Sequence, residues 1–352
     1  MVEANLARRH IPASRRRAYG ATVAPTRQLA EVHMKAVLTT LLLALGLGAV
    51  VAPTSAAYPD RAIRLIVPFP AGGPSDSAAR TFGNALAKST GQPTIIENRP
   101  GANGAIAAQA AFTASADGYT LLWGVASMVA LPLLQKKPAF RSLADLTPVA
   151  MIGRFPFAMT VNAGVPANSL AEFIAYARAN PDKLSYATST LGEFMAASEF
   201  MKRSGVSMVR VAYKGTAQAM PDLIEGRVPV NFGPVVGGIQ YVRSGQLRLL
   251  ASLLPQRSAV IADVPTMAEA GLPGVSVPTW QAVFAPPALP AEIVDRLARD
   301  VARALLDPEL RARFERQIFQ VDGSTPAALA AAITEDQRRW EEFIVDNRLP
   351  KE

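Results

Sequence analysis

The chain contains no cysteine and only two histidines in 352 residues. The first absence excludes disulfides, thiolate metal sites, iron–sulfur clusters and cysteine nucleophiles. Both histidines, His10 and His33, precede residue 57, so the chain beyond that point has neither residue type. That removes His-assisted serine hydrolysis and His-based zinc or iron sites. An enzyme built on what remains would have to use Asp, Glu or Lys. Aromatic residues are sparse at 7%, and no internal repeat, P-loop, G-x-G-x-x-G or G-x-S-x-G interrupts the chain. What is present is apolar: 50% of the residues are hydrophobic, enough for a large core. The length favours two lobes, because single cores stop growing near ~250–300 residues.

From Met34 the sequence reads MKAVLTTLLLALGLGAVVAPTSAA. One base, Lys35, precedes an apolar run from Ala36 to Ala52, then Pro53 and small residues. This is the pattern of a secretory signal peptide spanning residues 34–57, cleaved after Ala56 or Ala57. An apolar run of about 17 residues is short for a membrane anchor, and no Cys follows it to carry a lipid. Residues 1–33 hold six Arg without apolar periodicity and read as an extension ahead of a true start at Met34. Arg15-Arg16-Arg17 is similar to a twin-arginine signal but lies too far from the apolar run.

The formal charge of +8 is a nucleic-acid signal only if its bases survive processing. Seven of the 36 bases and two of the 28 acids lie in residues 1–57, leaving 29 against 26. No Lys/Arg stripe with interleaved aromatics remains, so nucleic acid is not an expected partner.

Apolar runs alternate with helical patterns. Strands are expected at Arg64–Phe69, Thr94–Asn98 and Tyr119–Gly124, separated by helices at Ser77–Lys88 and Ala105–Ala114. Such β-α-β-α-β order predicts a largely parallel sheet with helices on both faces. A second alternation starts at Phe157–Asn162 and continues through strands near 184–187, 209–213, 228–232 and 247–252. Helices fall at 169–180, 192–203, 217–225 and 234–244. In the tail, Pro290 opens a helix with Ile293, Leu297, Val301 and Leu305 every fourth residue, and Ser324-Thr325-Pro326 opens another. The expected organisation is one lobe from 58–155 plus 278–352, and a second from 156–277.

Three strand-to-helix turns could bind a ligand. Ala71-Gly72-Gly73-Pro74-Ser75-Asp76 follows the first strand. Its glycines expose bare N–H groups and the helix after it adds a partial positive charge, which together make an anion cradle. Asp76 or Ser75 would cap that helix. The same residues also suit an ordinary turn. Thr188-Ser189-Thr190-Leu191-Gly192 offers three hydroxyls at a second strand end, where open α/β sheets bind ligands, although capping is the commoner use of such a run. Tyr213-Lys214-Gly215-Thr216 is the third turn, and Lys214 alone there suits a solvated charge better than a ligand contact. None of the three contains Arg.

The residues carry a resemblance over most of the chain. Tyr58-Pro59-Asp60-Arg61, Ile66-Val67-Pro68-Phe69, Ala71-Gly72-Gly73 and Asp76 resemble the opening of the Bug-type receptors, the extracytoplasmic solute-binding subunits of tripartite tricarboxylate transporters. Gly91-Gln92-Pro93, Glu97-Asn98-Arg99-Pro100-Gly101-Ala102, Asp117-Gly118-Tyr119-Thr120-Leu121-Leu122, Tyr213-Lys214-Gly215, Asp263-Val264-Pro265-Thr266 and Gly271-Leu272-Pro273-Gly274 are similar to that family in the same order. The resemblance implies an α/β periplasmic-binding-protein fold of the second type, with two α/β lobes and a ligand cleft between them. It implies that Ala71 to Asp76 and Thr188 to Gly192 grip a carboxylate from opposite lobes, with ordered waters. Two departures stand out. Ala187 and Thr190 occupy positions where the family usually has glycine, and their Cβ atoms narrow the loop. The turn after the third strand, Gly124-Val125-Ala126-Ser127-Met128, is mostly apolar, with Ser127 its candidate contact. The cleft should therefore be less polar than that of a citrate or dicarboxylate receptor and suit a monocarboxylate or aromatic acid.

The expected function is periplasmic capture of a small carboxylate for a membrane transporter, by a monomer without metal, cofactor or catalytic residue. A receptor for a signalling partner is the alternative, and a secreted Asp/Glu/Lys enzyme a remoter one. With no His, ligand affinity is expected to be nearly flat between about pH 6 and 8.

Overall fold

A computed structural model describes residues 58–138 and 140–351. The expected signal peptide and the extension before it lie outside the described residues.

The first half of the alternation forms as the pattern implied. Strands Ile63–Val67 (β1), Thr94–Asn98 (β2) and Thr120–Val125 (β3) are connected by helices Pro74–Thr90 (α1) and Ala105–Phe112 (α2). β1 lies between the other two and parallel to both. Its apolar residues are fully buried, as a strand covered on both faces requires. A 3-10 turn, Ala126–Ala130, and a short helix, Leu131–Leu134 (α3), follow. Strand Thr147–Arg154 (β4) then runs through Phe155-Pro156 into Phe157–Asn162 (β5), which belongs to a different sheet.

That second sheet is built from β5 and four strands after it. Helix Leu170–Ala179 (α4) leads to Ser185–Thr188 (β6), Leu191–Ser204 (α5) to Val209–Ala212 (β7), and Thr216–Ile224 (α6) to Val230–Pro234 (β8). Helix Ile239–Arg243 (α7) precedes Leu247–Ser252 (β9), and the strand order is β7-β6-β8-β5-β9. The chain returns as Trp280–Ala285 (β10), helices Ala291–Ala304 (α8) and Pro308–Arg316 (α9), the two-residue strand Gln320–Val321 (β11) and helix Pro326–Asp346 (α10). The first sheet thus has the order β11-β4-β10-β3-β1-β2.

Neither sheet is largely parallel, which corrects the expectation. β10 pairs antiparallel with both β3 and β4, and β5 pairs antiparallel with β8 and β9. The cause is the crossing itself. β4 and β5 carry the chain out of the first sheet, and β10 re-enters running the other way between β3 and β4. A second correction concerns the expected helix at 234–244. β8 runs on to Pro234, a 3-10 turn spans Val235–Gly237, and only α7 is helical. Two adjacent glycines, Gly237 and Gly238, hold helix propensity too low there for one continuous helix.

Aromatic packing seals the region where the chain crosses. Phe155 meets Phe319 edge-on at 4.9 Å and Phe319 lies 4.4 Å from Phe314. Phe343 of α10 meets Phe194 of α5 at 6.0 Å, so the C-terminal helix touches a helix of the second sheet. Gly153 is needed where β11 crosses β4: a Cβ there would sit 2.1 Å from the backbone oxygen of Gln320. Gly153→Ala should therefore push β11 off its neighbour and lower the unfolding free energy by about 1–3 kcal/mol. Denaturant titration checks this, and an unchanged midpoint would mean that β11 yields without cost.

Candidate ligand-binding site

A cavity of about 170 Å³ opens where the two sheets face each other. It is walled by the β1–α1 loop and the end of β3 on one side. The β6–α5 loop and the start of α6 stand opposite, with the crossing segments around Phe155 and Pro278 between them. Phe69, Phe155, Phe157 and Trp280 supply apolar surface. Among the described residues, no Lys, Arg or His lines it, and the only ionisable lining group is Glu193.

Three helices begin at this cavity, and their first turns differ in one respect. α1 starts at Pro74, three residues earlier than its apolar pattern implied, with Gly73 as N-cap and no side-chain cap. Asp76 is therefore not the cap. Its carboxylate, 3% exposed, accepts from the Gly72 N–H at 2.9 Å, from Arg80, and from Asn98 Nδ2 at 2.8 Å. Burial raises the Asp76 pKa, but those hydrogen bonds outweigh it and hold the group below the usual carboxylate value. Asn98 also donates to the Phe69 carbonyl, tying the loop down. Among the described residues, the N–H groups of Gly73, Ser75 and Asp76 have no acceptor. α6 is open in the same way. Its N-cap Gly215 has no side-chain bond, and the N–H groups of Gly215, Thr216 and Ala217 are unpaired among the described residues.

α5 carries a side-chain cap. Thr190 caps it, accepting from the Glu193 N–H at 3.2 Å, while Glu193 reaches back to the N–H groups of Ser189 and Thr190. The Ser189 hydroxyl also donates to both Glu193 oxygens at 3.0 Å. Capping boxes are ordinary at helix starts, but this acid is 1% exposed and faces a cavity. Burial pushes its pKa up to about 7, against the opposing pull of the Ser189 and Thr190 donors and the more distant Arg210. Arg210 is engaged elsewhere, donating to Thr188 Oγ1 at 3.0 Å and stacking 4.4 Å from the Phe194 ring.

Gln281 completes the first wall. Its Oε1 accepts from Trp123 Nε1 at 2.9 Å and from Ser75 Oγ at 3.1 Å. An indole nitrogen can only donate, so this contact fixes which end of the amide is oxygen. The Gln281 Nε2 is left as a donor without an acceptor among the described residues, on a side chain that lines the cavity.

The sequence profile of the tripartite tricarboxylate transporter family receptor matches residues 78–349. The chain belongs to that family. BugT of Bordetella pertussis is 35% identical over 313 residues, covering 86% of this chain and 96% of the relative. The solved periplasmic binding protein BugD superposes with a TM-score of 0.78 at 28% identity, covering 84% of this chain and all of that one. MatC from Rhodopseudomonas palustris with bound malate superposes at 0.75 with 33% identity, over 82% of this chain and 100% of its own. The chain is a solute-binding receptor with the two-sheet α/β fold of periplasmic binding proteins.

On this receptor the sequence-chosen residues separate into two groups. Ala71, Gly73, Ser75, Ser127, Ser189, Thr190 and Gly192 line the cavity. Gly72, Asp76, Thr188 and Lys214 do not. Gly72 supplies a left-handed turn, φ +84°, whose N–H is taken by Asp76. Thr188 is buried and faces Arg210, and Lys214 is exposed while its neighbours Gly215 and Thr216 enter the wall. The Cβ of Thr190 brings no strain, because its φ of −138° is extended backbone. Glu193 and Gln281 were missed. The Thr190-x-x-Glu193 spacing announces a capping box, but nothing local shows that the acid is buried, and Gln281 arrives from a strand about 200 residues downstream of the loop it serves.

Glu193 bears on the expected flat pH response, because burial raises this one lining carboxyl to about 7. Folding raises this carboxyl above its ordinary value of 4.5, so the stability it contributes is present in full below that value. The contribution is lost as pH rises through about 7. The thermal midpoint should fall between about pH 5 and pH 8, and Glu193→Gln should make that fall shallower. Differential scanning fluorimetry across the range tests it; parallel curves for the two proteins would contradict it.

Proposed function

We propose that this receptor captures a small carboxylate in the cavity between its two sheets and presents it to the membrane subunits of a tripartite transporter. The lobes comprise residues 58–155 with 278–352, and 156–277. The ligand reaches them in the periplasm after the signal peptide is cleaved near Ala57. The receptor acts as a monomer and performs no catalysis. Among the described residues no helix is long and apolar enough to cross a membrane.

One observation carries the reading: two uncapped helix N-termini, those of α1 and α6, open on a small cavity that no cationic side chain lines among the described residues. Aligned N–H groups and a helix dipole hold one negative charge well. They suit reversible capture of a carboxylate better than a phosphate ester of higher charge. Ser75 Oγ, Thr216 and the Gln281 amide surround the same space. The apolar walls would accept the hydrocarbon part of the ligand, in line with a monocarboxylate or aromatic acid.

A thermal-shift screen against small acids would reveal the ligand, since binding raises the melting temperature by mass action. Gly73→Pro removes one donor at a φ of −79°, which proline adopts. A hydrogen bond to a charged group contributes about 1.5–3 kcal/mol, so calorimetry on the acid found should show affinity reduced about 10- to 100-fold with folding intact. Unchanged affinity would remove this loop from the site. Because dipoles rather than exposed cations hold the charge, the dissociation constant should vary little between low and physiological salt. A steep salt dependence would point instead to Lys or Arg outside the cavity.

A further inference from the structure

We propose that Gln281 is a specificity-determining ligand contact of this receptor: its Nε2 amide group, aimed by Trp123, donates to the ligand carboxylate beside the α1 start and turns away the carboxamide of the same acid. The inference rests on the carboxylate reading above and deepens it.

Trp123 and Gln281 meet because β3 and β10 pair antiparallel, with Trp123 opposite Val283 and Val125 opposite Gln281. The two side chains are therefore diagonal neighbours on one face. That face is turned toward α1, where Phe82 lies 5.7 Å from the Trp123 ring. Trp123 is fully buried. Its indole N–H can only donate, and a buried donor left without an acceptor costs more than an ordinary hydrogen bond contributes. Gln281 Oε1 is the acceptor, at 2.9 Å. Turning the amide over would set its NH2 group against the indole N–H. The polarity of Gln281 is thus fixed by a residue 158 positions away in the chain, and Trp123 is its positioning residue.

Two consequences follow at the cavity. Ser75 Oγ, 3.1 Å from Oε1, must donate to it, so that hydroxyl proton is committed within the protein. Nε2 remains. It has no acceptor among the described residues and is not sealed from solvent. On a side chain that is 4% exposed and lines the cavity, that opening is the cavity itself. Ser75 is the second residue of α1, so the amide stands beside the unpaired N–H groups of Gly73, Ser75 and Asp76. Most other neutral polar side chains of the wall are hydroxyls, which turn to donate or accept, and Gln218 is exposed. Gln281 cannot adapt in that way and presents a donor to whatever enters.

A carboxylate answers a set of donors with acceptor oxygens alone. A carboxamide brings an NH2 group of its own, and donors left facing one another in a closed site discriminate strongly. If Gln281 merely tied β10 to β3 and α1, replacing it would lower stability and leave ligand preference untouched.

The test uses three matched pairs: hexanoate with hexanamide, benzoate with benzamide, and adipate with adipamide. Each is titrated by calorimetry into the wild-type receptor, Gln281→Met and Gln281→Glu. Methionine keeps the length and removes the donor. Glutamate keeps acceptors for Trp123 and Ser75 but sets an oxygen where the donor stood. The wild type should prefer the carboxylate of a pair by about tenfold or more, and Gln281→Met should shrink that ratio about 10-fold. Gln281→Glu should abolish or invert it. Trp123→Phe frees the amide to turn, so it should lower the ratio too, but should lower it no further in a chain that already carries Gln281→Met. Ratios unmoved by both Gln281 substitutions would overturn the inference and reduce the residue to scaffold. Additive effects of Trp123→Phe and Gln281→Met would overturn the role given to Trp123. A crystal structure of the wild type with the tightest-binding acid decides the matter without any variant: Nε2 should lie about 2.7–3.2 Å from a ligand oxygen, and an Nε2 facing none would refute the contact. Silence from all six compounds would defeat the carboxylate reading and the inference with it, an outcome distinct from binding with an unmoved ratio.

Discussion

A carboxylate held in this cavity, as proposed, has no cationic side chain to meet it among the described residues, and much of the surrounding architecture fits that constraint. Backbone N–H groups replace guanidinium only if helices begin within reach of one small volume. β1, β6 and β7 accordingly end at the same face, each followed by a short turn into α1, α5 or α6. Whether a given start can serve depends on its cap. Gly73 and Gly215 bring no side chain to their helix starts, so the donors stay free. Thr190 with Glu193 caps the third start, leaving the Leu191 and Gly192 N–H groups without an acceptor among the described residues.

The acids near the site show how burial and hydrogen bonding divide the work. Asp76 and Glu193 are each the third residue of a helix and each reaches back to the loop before it. Asp76 has Arg80 and Asn98 as further partners and settles below the ordinary carboxylate value. Glu193 has only neutral donors and a distant Arg210, and desolvation prevails. The first acid braces a loop whose free donors open on the cavity. The second lies in the cavity wall, almost fully buried. Identical helix positions thus serve opposite ends, and the deciding difference is a guanidinium four residues on.

Much of this was legible in the sequence where it depends on local pattern. β2, β5 and β9 fall at the expected residues, because alternation and continuous apolar runs are short-range signals. β4 and β10 were not read. Pro148 and Gly153 break the first pattern, and the second follows a stretch rich in proline, yet both strands form because β3, β4 and β10 complete one another's hydrogen bonds. Site legibility follows the same rule. Loops that end a strand and start a helix announce themselves through Gly, Pro and hydroxyl residues, so Gly73, Ser75 and Thr190 were visible. Gln281 acquires its role from Trp123 and Ser75, two residues that the fold brings to it. Burial of Glu193 is likewise a tertiary fact. Sequence spacing can specify its hydrogen bonds but not its dielectric.

Glu193 also breaks the pattern of local consistency that the rest of the chain follows, and the break has physical meaning. An exposed Glu or Gln at that position would cap α5 as well, without the desolvation that raises this carboxyl to about 7. Natural sequences tolerate such costs mainly at functional sites. The compensation is visible in the surroundings: three donors from Ser189 and Thr190 keep the acid in one orientation, and the absence of a nearby free base keeps it unneutralised.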